Sequence, residues 1–517
     1  MSALVPLLVT LPFLGAAVTL IFGRRPRLQV AVSVVTLSLV VVIASVLLAT
    51  VDQGAPIAVS VGGWPIPIGI VLYVDRLAAL LVLVSSIVLI AVLLFSVGQG
   101  AADGDQETPV SIFYPSYLIL SAGIFTAFVA GDLFNLYVGF EILLVASYVL
   151  ITLGSTESRI RTGVVYIVVS LVSSILFLSA IAVIYGALGT VNMAQIADRM
   201  AELPGEVQMV LHLLLLVAFA IKAAVFPLSF WLPDSYPTAP APVTAVFAGL
   251  LTKVGVYAII RTETQLFPGS DVNMLLMVIA LATMIVGVLG AVAQAELKRI
   301  LSFTLVSHVG YMIFGLAIAT PEAYGATIYY IVHHIIVQTT LFLAVGLVER
   351  RAGSTSILRV KGLMRAAPVI AVLYFIPAVN LGGLPPFSGF IGKFALFEAA
   401  AEVGTPVMMV LIVGGIVTSL LTLYALMRAW NLAFWREEDD SAETEARIAY
   451  LGDAPAAGVE TGRRVTSRIM TGATALMVSA TVALTVFAGP LLEICMRAGE
   501  GLAQPVVITQ LNEEAEQ

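Results

Sequence analysis

The sequence has little charge, few histidines and almost no cysteine. Only 11% of its 517 residues are Asp, Glu, Lys or Arg, whereas a soluble domain has about 25%. The single cysteine, Cys495, excludes a disulfide framework and a cysteine-rich metal or iron–sulfur site. Four histidines are enough for a proton relay but not for several metal centres. We therefore expect no metal, no redox cofactor and no nucleic-acid partner.

Apolar residues are what the sequence has in abundance. They make up 60% of the chain and give it a mean hydropathy of +1.05. These values are typical of a polytopic membrane protein rather than of a soluble enzyme with an anchor. The first apolar run, 1–23, lacks a basic segment before it and is followed by Arg24, Arg25 and Arg27. We interpret it as the first spanning helix and not as a signal peptide.

Apolar runs of about 20 residues can each cross a bilayer as an α-helix. We predict an all-α integral membrane protein with about 14 transmembrane helices. The run 112–153 is too long for one span and is divided at Gly131 and Asp132. The predicted spans are 3–23, 29–50, 74–98, 112–130, 133–153, 162–185, 207–231, 240–261, 272–294, 299–319, 325–348, 368–397, 406–434 and 467–489.

Basic residues between the spans predict the orientation of the chain in the membrane. If the N-terminus is outside, most Lys and Arg fall in cytoplasmic loops, for example Arg24, Arg159 and Lys298. We therefore predict that both termini are outside. Residues 54–72, in which Gly and Pro alternate with small apolar residues, are predicted to form a hairpin on the outer face. Residues 436–465 are charged and rich in Gly and Ala, which favours an inside loop.

The segment Ala218 to Leu232, AFAIKAAVFPLSFWL, is unusual for a membrane span. A lysine in hydrocarbon costs about 2.5 to 3.5 kcal/mol, and a proline removes a backbone donor. Both are tolerated where the segment lines a cavity in the protein. We hypothesise that Lys222 carries a proton beside a helix break at Pro227. Asp234, just beyond the apolar run, is a secondary polar candidate.

Glu141 lies in the fifth predicted span, within GDLFNLYVGFEILLVASYVLITLG, and is the natural partner of Lys222. Desolvation disfavours a charged amine, whereas a nearby carboxylate favours it. A pair that opens and closes could therefore switch the lysine between holding and releasing a proton. One alternative is a carboxylate satisfied by a hydroxyl such as Ser147 or Tyr148. Another is a static ion pair that fixes helix packing.

Polar side chains also lie inside the eighth, tenth and eleventh spans. Lys253 is near the middle of the eighth span and has no acidic residue within one helical turn. His334 can pass a proton near neutral pH, although a lone histidine can also be a satisfied interior group. Metal binding by His333 and His334 is not expected, because adjacent residues do not share a helix face. The residues with helical spacing are Thr327, Tyr330, His334 and Gln338 in the eleventh span, and Thr304, His308 and Tyr311 in the tenth.

The twelfth span reads PAVNLGGLPPFSGFIGKFALFEA and is predicted to be broken. Lys393 follows the break, just as Lys222 lies close to the one in the seventh span. Corresponding broken helices in two halves of a chain indicate inverted-repeat transport. A kink with packing value only is the alternative. The residues predicted to interrupt the helix are Gly382, Gly383, Pro385 and Pro386.

This pairing of broken helices divides the chain into four parts. Residues 1–111 hold helices 1–3 with the outer-face hairpin, and 112–262 hold the first five-helix repeat, spans 4–8. Residues 270–435 hold the second repeat, spans 9–13, and 436–517 hold the inside loop, helix 14 and the C-terminal tail.

Several of these segments resemble a known family. GDLFNLYVGFEILLVASYVLITLG, AAVFPLSFWLPDSYPTAPAPVTAVFAGLLTKVGVYAIIRT, ELKRILSFTLVSHVGYM and NLGGLPPFSGFIGKF are similar to the D subunits of the Mrp-type multisubunit Na+/H+ antiporters. More distantly, they resemble the antiporter-like subunits of respiratory complex I. The resemblance covers about residues 60 to 435. Many members have lysine at the position of Gln338. In this sequence, His334 is therefore the titratable group on the polar face of the eleventh span.

The resemblance implies a 14-helix fold with two inverted five-helix repeats, in a bacterial plasma membrane. It implies a proton pathway through Glu141, Lys222, Lys253, His334 and Lys393, with other Mrp subunits as partners and H+ and Na+ as the transported ions. The chain would then be part of a secondary transporter and not an enzyme. One alternative is a proton-pumping subunit of a complex I-like or membrane hydrogenase assembly. Another is a membrane scaffold that transports nothing.

Overall fold

The structure is a computed structural model that describes residues 1–64, 66, 68–103, 110–153, 157–269, 272–436 and 466–504. The predicted inside loop falls outside the described residues after 436. In chain order the described α-helices are α1 (Leu7–Ile21), α2 (Pro26–Gln53), α3 (Arg76–Asp103), α4 (Val110–Phe128), α5 (Leu133–Thr152), α6 (Glu157–Leu188), α7 (Met193–Met200), α8 (Gly205–Ala223), α9 (Leu232–Ser235), α10 (Ala241–Val246), α11 (Thr252–Arg261), α12 (Asn273–Ala293), α13 (Leu297–Ile318), α14 (Pro321–Ala352), α15 (Leu363–Ala366), α16 (Pro368–Gly382), α17 (Ser388–Val403), α18 (Pro406–Trp430), α19 (Arg468–Val486) and α20 (Ala488–Leu502).

Most of these helices are membrane-spanning by length and composition. Among the described residues, twelve helical stretches, some continued through a 3₁₀ or π-helical turn, are long and apolar enough to cross a bilayer. Two shorter apolar helices, Ile112–Phe128 and Pro368–Gly382, lie where the fourth and twelfth spans are predicted. The predicted fold class, an all-α integral membrane protein, is confirmed. The count of about 14 spans stays a prediction.

The predicted hairpin is present as two short antiparallel strands. Strand β1 (Ile57–Ser60) pairs with β2 (Val71–Val74), with Ile57 opposite Val74 and Ser60 opposite Val71. The backbone of β2 also bonds to the turn between α4 and α5, because Gly131 N donates to Val71 O at 2.9 Å. The hairpin therefore braces the turn from which α5 begins.

Both predicted helix breaks are present. α8 ends at Ala223, earlier than the predicted end at 231, and Ala224 follows in the left-handed conformation with φ 58°. Pro227 has no N–H to donate to the carbonyl four residues back, so the helix cannot continue through Ala223. The second break separates α16 from α17, with Gly383 at φ 82°. In both places the missing backbone bonds leave carbonyl groups free for other donors.

The helical stretch after the first break contains two π-helical turns. Phe247–Leu251 lies between α10 and α11, and Thr262–Leu266 follows α11. The whole stretch, Ala241–Leu266, is enclosed by other helices. π-helical turns occur frequently at functional sites, since the extra residue displaces one backbone bond.

The core is built around α14, which is enclosed by other helices through its hydrophobic length. Glycines allow neighbouring backbones to approach closely at several crossings. A Cβ on Gly255 of α11 would lie 2.6 Å from the backbone nitrogen of Ala223 in α8. A Cβ on Gly287 of α12 would lie 2.4 Å from the nitrogen of Ser307 in α13. The polar side chains on these helices are thus brought together by close backbone packing.

The C-terminal helix α20 is an element that the sequence does not predict. It packs on the start of α14, where a Cβ on Gly499 would lie 2.5 Å from the nitrogen of Gly325. Its Arg497 donates to Asp52 of α2 at 2.7 and 2.9 Å, and Asp52 also accepts from Arg76 of α3 at 3.2 Å. These contacts attach α20 to the bundle.

Candidate functional site

Glu141 and Lys222 are connected through a serine from a third helix. Ser174 of α6 donates its Oγ hydrogen to Oε1 of Glu141 on α5. Lys222, in the last turn of α8, donates from Nζ to the same hydroxyl at 3.2 Å. Within the described residues no direct ion pair under 4 Å joins the carboxylate and the amine. Ser147, one of the two hydroxyls considered as alternative partners of Glu141, bonds instead to Tyr166 at 2.8 Å and to a carbonyl of its own helix.

The amine of Lys222 lies inside the protein and next to a small cavity. The residue is 8% exposed, and Nζ lies 4.7 Å from the centroid of the Phe140 ring. The cavity holds about 20 Å³ of space open to the centre of a water molecule, which is room for about one water. Its polar lining includes Ser170, Ser173 and Tyr236. The cavity thus places polar side chains in the neighbourhood of the amine.

Lys253 is completely buried beside the first π-helical turn. Nζ donates to the carbonyl oxygen of Ala248 at 2.8 Å and to Oγ1 of Thr252 at 3.2 Å. Ala248 belongs to the turn Phe247–Leu251, so the widened backbone supplies the acceptor for the amine. Leu251, two residues before Lys253, lines the cavity at Lys222. The π-helical turn that holds the amine of Lys253 thus also contributes a side chain to the cavity at Lys222.

The tenth and eleventh spans place two histidine rings next to each other. The centroids of His308 and His334 are 5.2 Å apart. Nδ1 of His308 shares a hydrogen bond of 2.8 Å with the hydroxyl of Tyr330, whereas both ring nitrogens of His334 are buried without a protein partner. His334 and Lys253 lie close enough to interact electrostatically. His308, His334 and Tyr330 thus form one buried cluster.

Lys393 lies at the second helix break. Its Nζ donates to Oγ of Ser419 at 2.9 Å and to the carbonyl oxygens of Leu381 and Gly382 at 3.2 and 3.4 Å. Those carbonyls end α16, where the interrupted helix leaves them without intrahelical donors. Nζ also lies 5.2 Å from the centroid of the Tyr311 ring. With 8%, 0% and 3% exposure for Lys222, Lys253 and Lys393, all three amines face the protein interior and not lipid.

His333 bonds to the same helix break, although sequence spacing places it on another face of α14 than His334. Its Nδ1 shares a hydrogen bond of 2.9 Å with Oγ of Ser388, the first residue of α17. Ser388 donates to Oδ1 of Asn380 in α16 at 3.2 Å, and the same oxygen accepts from the nitrogen of Gly389 at 2.9 Å. Helical periodicity predicts one polar stripe on α14, but the broken helix brings polar groups to a second face.

Of the secondary polar candidates, some are buried in the helix bundle and Asp234 is exposed. Thr304 and Thr327 donate to carbonyls of their own helices, at 2.9 and 2.7 Å. Gln338 donates from Nε2 to Leu301 O at 2.7 Å, and its Oε1 is buried without a protein partner. Asp234 is exposed and forms an ion pair of 3.0 Å with Arg299, away from the buried amines.

The fold and the site together define a class of protein. It is an integral membrane protein whose interior holds three buried lysines, placed at two broken helices and a π-helical turn. Charged groups are costly in a bilayer interior and mark ion or proton pathways. Charged and titratable groups that hydrogen-bond to hydroxyls and freed carbonyls suit proton transfer rather than covalent chemistry.

Similarity to known proteins identifies the family. Residues 130–422 match the family described as NADH:quinone oxidoreductase/Mrp antiporter, TM. The chain is 40% identical over 447 residues to the D subunit of the Na(+)/H(+) antiporter of Alkalihalophilus pseudofirmus, covering 86% of this chain and 89% of that one. It is 36% identical over 453 residues to the D subunit of the Na(+)/H(+) antiporter of Bacillus subtilis, covering 87% of this chain and 90% of that one. Its structure matches a chain of the Mrp complex from Dietzia sp. DQ12-45-1b with a TM-score of 0.88, 31% identity and 99% coverage of both chains.

The chain therefore belongs to the NADH:quinone oxidoreductase/Mrp antiporter transmembrane family, and its relatives are the D subunits of Mrp-type antiporters. The resemblance seen in the sequence is confirmed. With its many membrane-spanning helices, it is a protein of the bacterial plasma membrane.

Proposed function

We propose that this chain is the proton-translocating subunit of a multisubunit Na+/H+ antiporter, acting with the other subunits of an Mrp-type complex. The proton pathway runs through Glu141, Lys222, Lys253, His334 and Lys393. The observation that carries the proposal is the hydrogen-bonded chain from Glu141 through Ser174 to Lys222. A transporter, not an enzyme, is the function that such a chain of proton donors and acceptors supports.

The pair Glu141 and Lys222 acts as a switch. While the carboxylate is bonded to Ser174 and the hydroxyl accepts from the amine, the negative charge stabilises the protonated lysine. If the carboxylate moves away, the amine stays in a desolvated site without a counter-charge and releases its proton. The proton leaves toward Lys253 through the cavity beside Lys222, which has room for about one water.

The central part of the pathway requires water as a partner. His308 Nε2, both ring nitrogens of His334 and Gln338 Oε1 are buried and have no protein hydrogen bond. Buried polar atoms of this kind normally bond to internal water. Waters at these atoms would join Lys253 to the second break, where Lys393 passes the proton on. Tyr311, Tyr330, Thr304 and Thr327 line this part of the pathway and shape it.

The two halves of the chain support an inverted-repeat arrangement, with 112–262 as the first repeat and 270–435 as the second. Each half has a broken helix beside a buried lysine, and each lysine donates to a serine of a neighbouring helix. Under this arrangement the breaks open two half-channels. We propose the orientation with both termini outside, supported by the distribution of Lys and Arg.

The electrochemical gradient would drive the coupling to Na+. Movement of one elementary charge across a membrane potential of 100 mV changes the free energy by about 2.3 kcal/mol. The names of the similar proteins favour an antiporter over a complex I-like or hydrogenase pump. A scaffold without transport would have no use for three buried amines that are costly to fold into a membrane.

Substitution of Lys222 or Glu141 by Ala tests the proposal. Each variant should abolish Na+ resistance in cells that lack their own antiporters, because the switch loses one partner. Assembly of the complex, followed on a native gel, is the control for folding. Lys393→Ala should also impair transport, by blocking exit. Normal Na+/H+ exchange by an assembled Lys222→Ala complex would refute the proposal and leave the scaffold alternative.

A further inference from the structure

A second buried acid–base pair lies apart from the residues of the proposed pathway. His212 of α8 and Glu263, in the π-helical turn Thr262–Leu266, approach to 2.6 Å between Nε2 and Oε1. Their side chains are 1% and 6% exposed. The His212 ring lies flat on the ring of Phe267, with centroids 4.3 Å apart and planes at 5°. The imidazole is thus held in one orientation with one nitrogen on the carboxylate.

The pair occupies a defined place relative to the two lysines. α8 and α11 run antiparallel, since Gly255 lies against Ala223 at one level and His212 meets Glu263 at another. His212 is ten residues before Lys222, and Glu263 is ten residues after Lys253. Ten helical residues span about 15 Å. Both members of the pair are therefore displaced from the lysines toward the same membrane surface, the one at which α8 begins.

Other charged groups in this region are engaged elsewhere. Arg261, two residues before Glu263, forms a bidentate pair with Asp75, at 2.7 Å for both contacts. Arg199 of α7, the short helix packed beside the same π-helical turn, donates to Leu188 O at 2.7 Å. Tyr324 of α14 interacts electrostatically with Glu263. The remaining ionisable partner of Glu263 in the described contacts is His212.

We propose that His212 and Glu263 form the proton-transfer station between that membrane surface and Lys222 and Lys253. The imidazole accepts one proton at one ring nitrogen from the surface side and becomes an imidazolium, whose charge the Glu263 carboxylate stabilises. It then releases one proton toward the lysines and is neutral again, so one proton enters and one leaves. A histidine suits this role because its imidazole can accept a proton at one ring nitrogen and donate one from the other. The inference rests on the proposed function, and under the proposed orientation the station faces the outside.

The test is Na+/H+ exchange by the whole complex in oriented membrane vesicles, with the pH varied on one side at a time. His212→Asn keeps a hydrogen-bonding group on Glu263 but does not titrate. It should lower the maximal rate at least tenfold and remove the dependence of the rate on pH between 6 and 8 on the side where α8 begins. Dependence on pH at the other side should remain.

Two further variants separate this role from a structural one. Glu263→Gln should alter the same one-sided pH profile. It tests the proposal independently if the His212→Asn complex fails to assemble. Glu349→Gln removes the partner of Lys298, 2.8 Å away in another partly buried pair, and should leave the profile unchanged. Variants of both His212 and Glu263 with wild-type pH profiles, whatever their rates, would overturn the station. If Lys222→Ala abolishes exchange in the same vesicles, the proposed function still stands.

Discussion

Lys222 and Glu141 do not touch each other, and the hydroxyl of Ser174 lies between them. The amine donates to Ser174 Oγ at 3.2 Å, and that hydroxyl donates to Oε1 of Glu141. A hydroxyl has one hydrogen to donate and two lone pairs to accept, so it can serve both neighbours at once. The electrostatic contact between the two charges is therefore adjustable by small movements of one side chain from α6.

Ser174→Ala should consequently lower Na+/H+ exchange by about tenfold or more, since hydrogen bonds to charged groups are worth about 1.5 to 3 kcal/mol. Ser174→Thr keeps the hydroxyl and should retain most of the activity. The control is Ser121→Ala, because the buried Ser121 of α4 donates to Tyr117 O at 2.8 Å and does not line the cavity at Lys222. Equal exchange rates for Ser174→Ala and Ser121→Ala complexes would show that the bridging hydroxyl is not required.

His333 should matter for the second helix break rather than for metal binding. Its bond to Ser388 connects α14 to α17, and Asn380 connects Ser388 to α16. We expect His333→Ala to lower the stability of the protein by about 1 to 3 kcal/mol, because Ser388 loses a buried hydrogen-bond partner. It should also reduce exchange, since the carbonyls that hold Lys393 lie at this joint.

Thermal unfolding in detergent and vesicle exchange assays measure the two effects of His333→Ala. Thr340→Val is a suitable control on the same helix, because its hydroxyl bonds only to Ile336 O in the described contacts, at 2.6 Å. An unchanged unfolding midpoint for His333→Ala would contradict the structural role of the histidine at the break.

Much of the fold could be predicted because hydropathy, proline and glycine act locally in the sequence. The apolar runs become helices, and the segments around Pro227 and Gly383 become breaks. Lys222, Lys253 and Glu141 stand out in such runs for the same reason. The partners of these groups could not be predicted, since Ser174 and Ser419 lie on helices whose packing the sequence does not specify. Helical spacing places His333 on a different face of α14 from His334. Periodicity describes one helix at a time, so it cannot show that the broken helix beside α14 supplies a partner for His333.

The carboxyl group of Asp132 should make stability depend on pH. Asp132 caps α5 by accepting from Asn135 N at 2.6 Å, but its Oδ2 is buried without a partner. Burial raises the pKa of Asp132 to about 6, against the lowering effect of the backbone bonds. The folded state then binds a proton more readily than the unfolded state, whose Asp has a pKa of about 3.9. The contribution of Asp132 to stability falls as pH rises through about 4 to 6 and is constant above that window.

Asp132→Asn keeps a capping oxygen and has no charge to bury. It should be more stable than the wild type at pH 8, by about 1 to 3 kcal/mol, and the advantage should shrink as the pH falls toward 4. Thermal unfolding midpoints at pH 8 and pH 5 measure the difference. A gain of the same size at both pH values would mean that ionisation of Asp132 is not its cause.

Gly255 should be required for the spacing of the helices that hold Lys222 and Lys253. A Cβ at Gly255 would lie 2.6 Å from Ala223 N and 2.9 Å from the carbonyl carbon of Lys222, both of them backbone atoms that cannot turn aside. Gly255→Ala should therefore force α8 and α11 apart and cost about 1 to 3 kcal/mol of stability. Gly186→Ala is the control, because no atom lies within 4 Å of a Cβ placed there. It should be neutral or slightly stabilising, as Ala is the better helix former. Lys222, which lines the cavity, lies at this contact, so Gly255→Ala complexes that still assemble should also show slower exchange. A wild-type exchange rate together with a wild-type unfolding midpoint would mean that the two helices do not need this close contact.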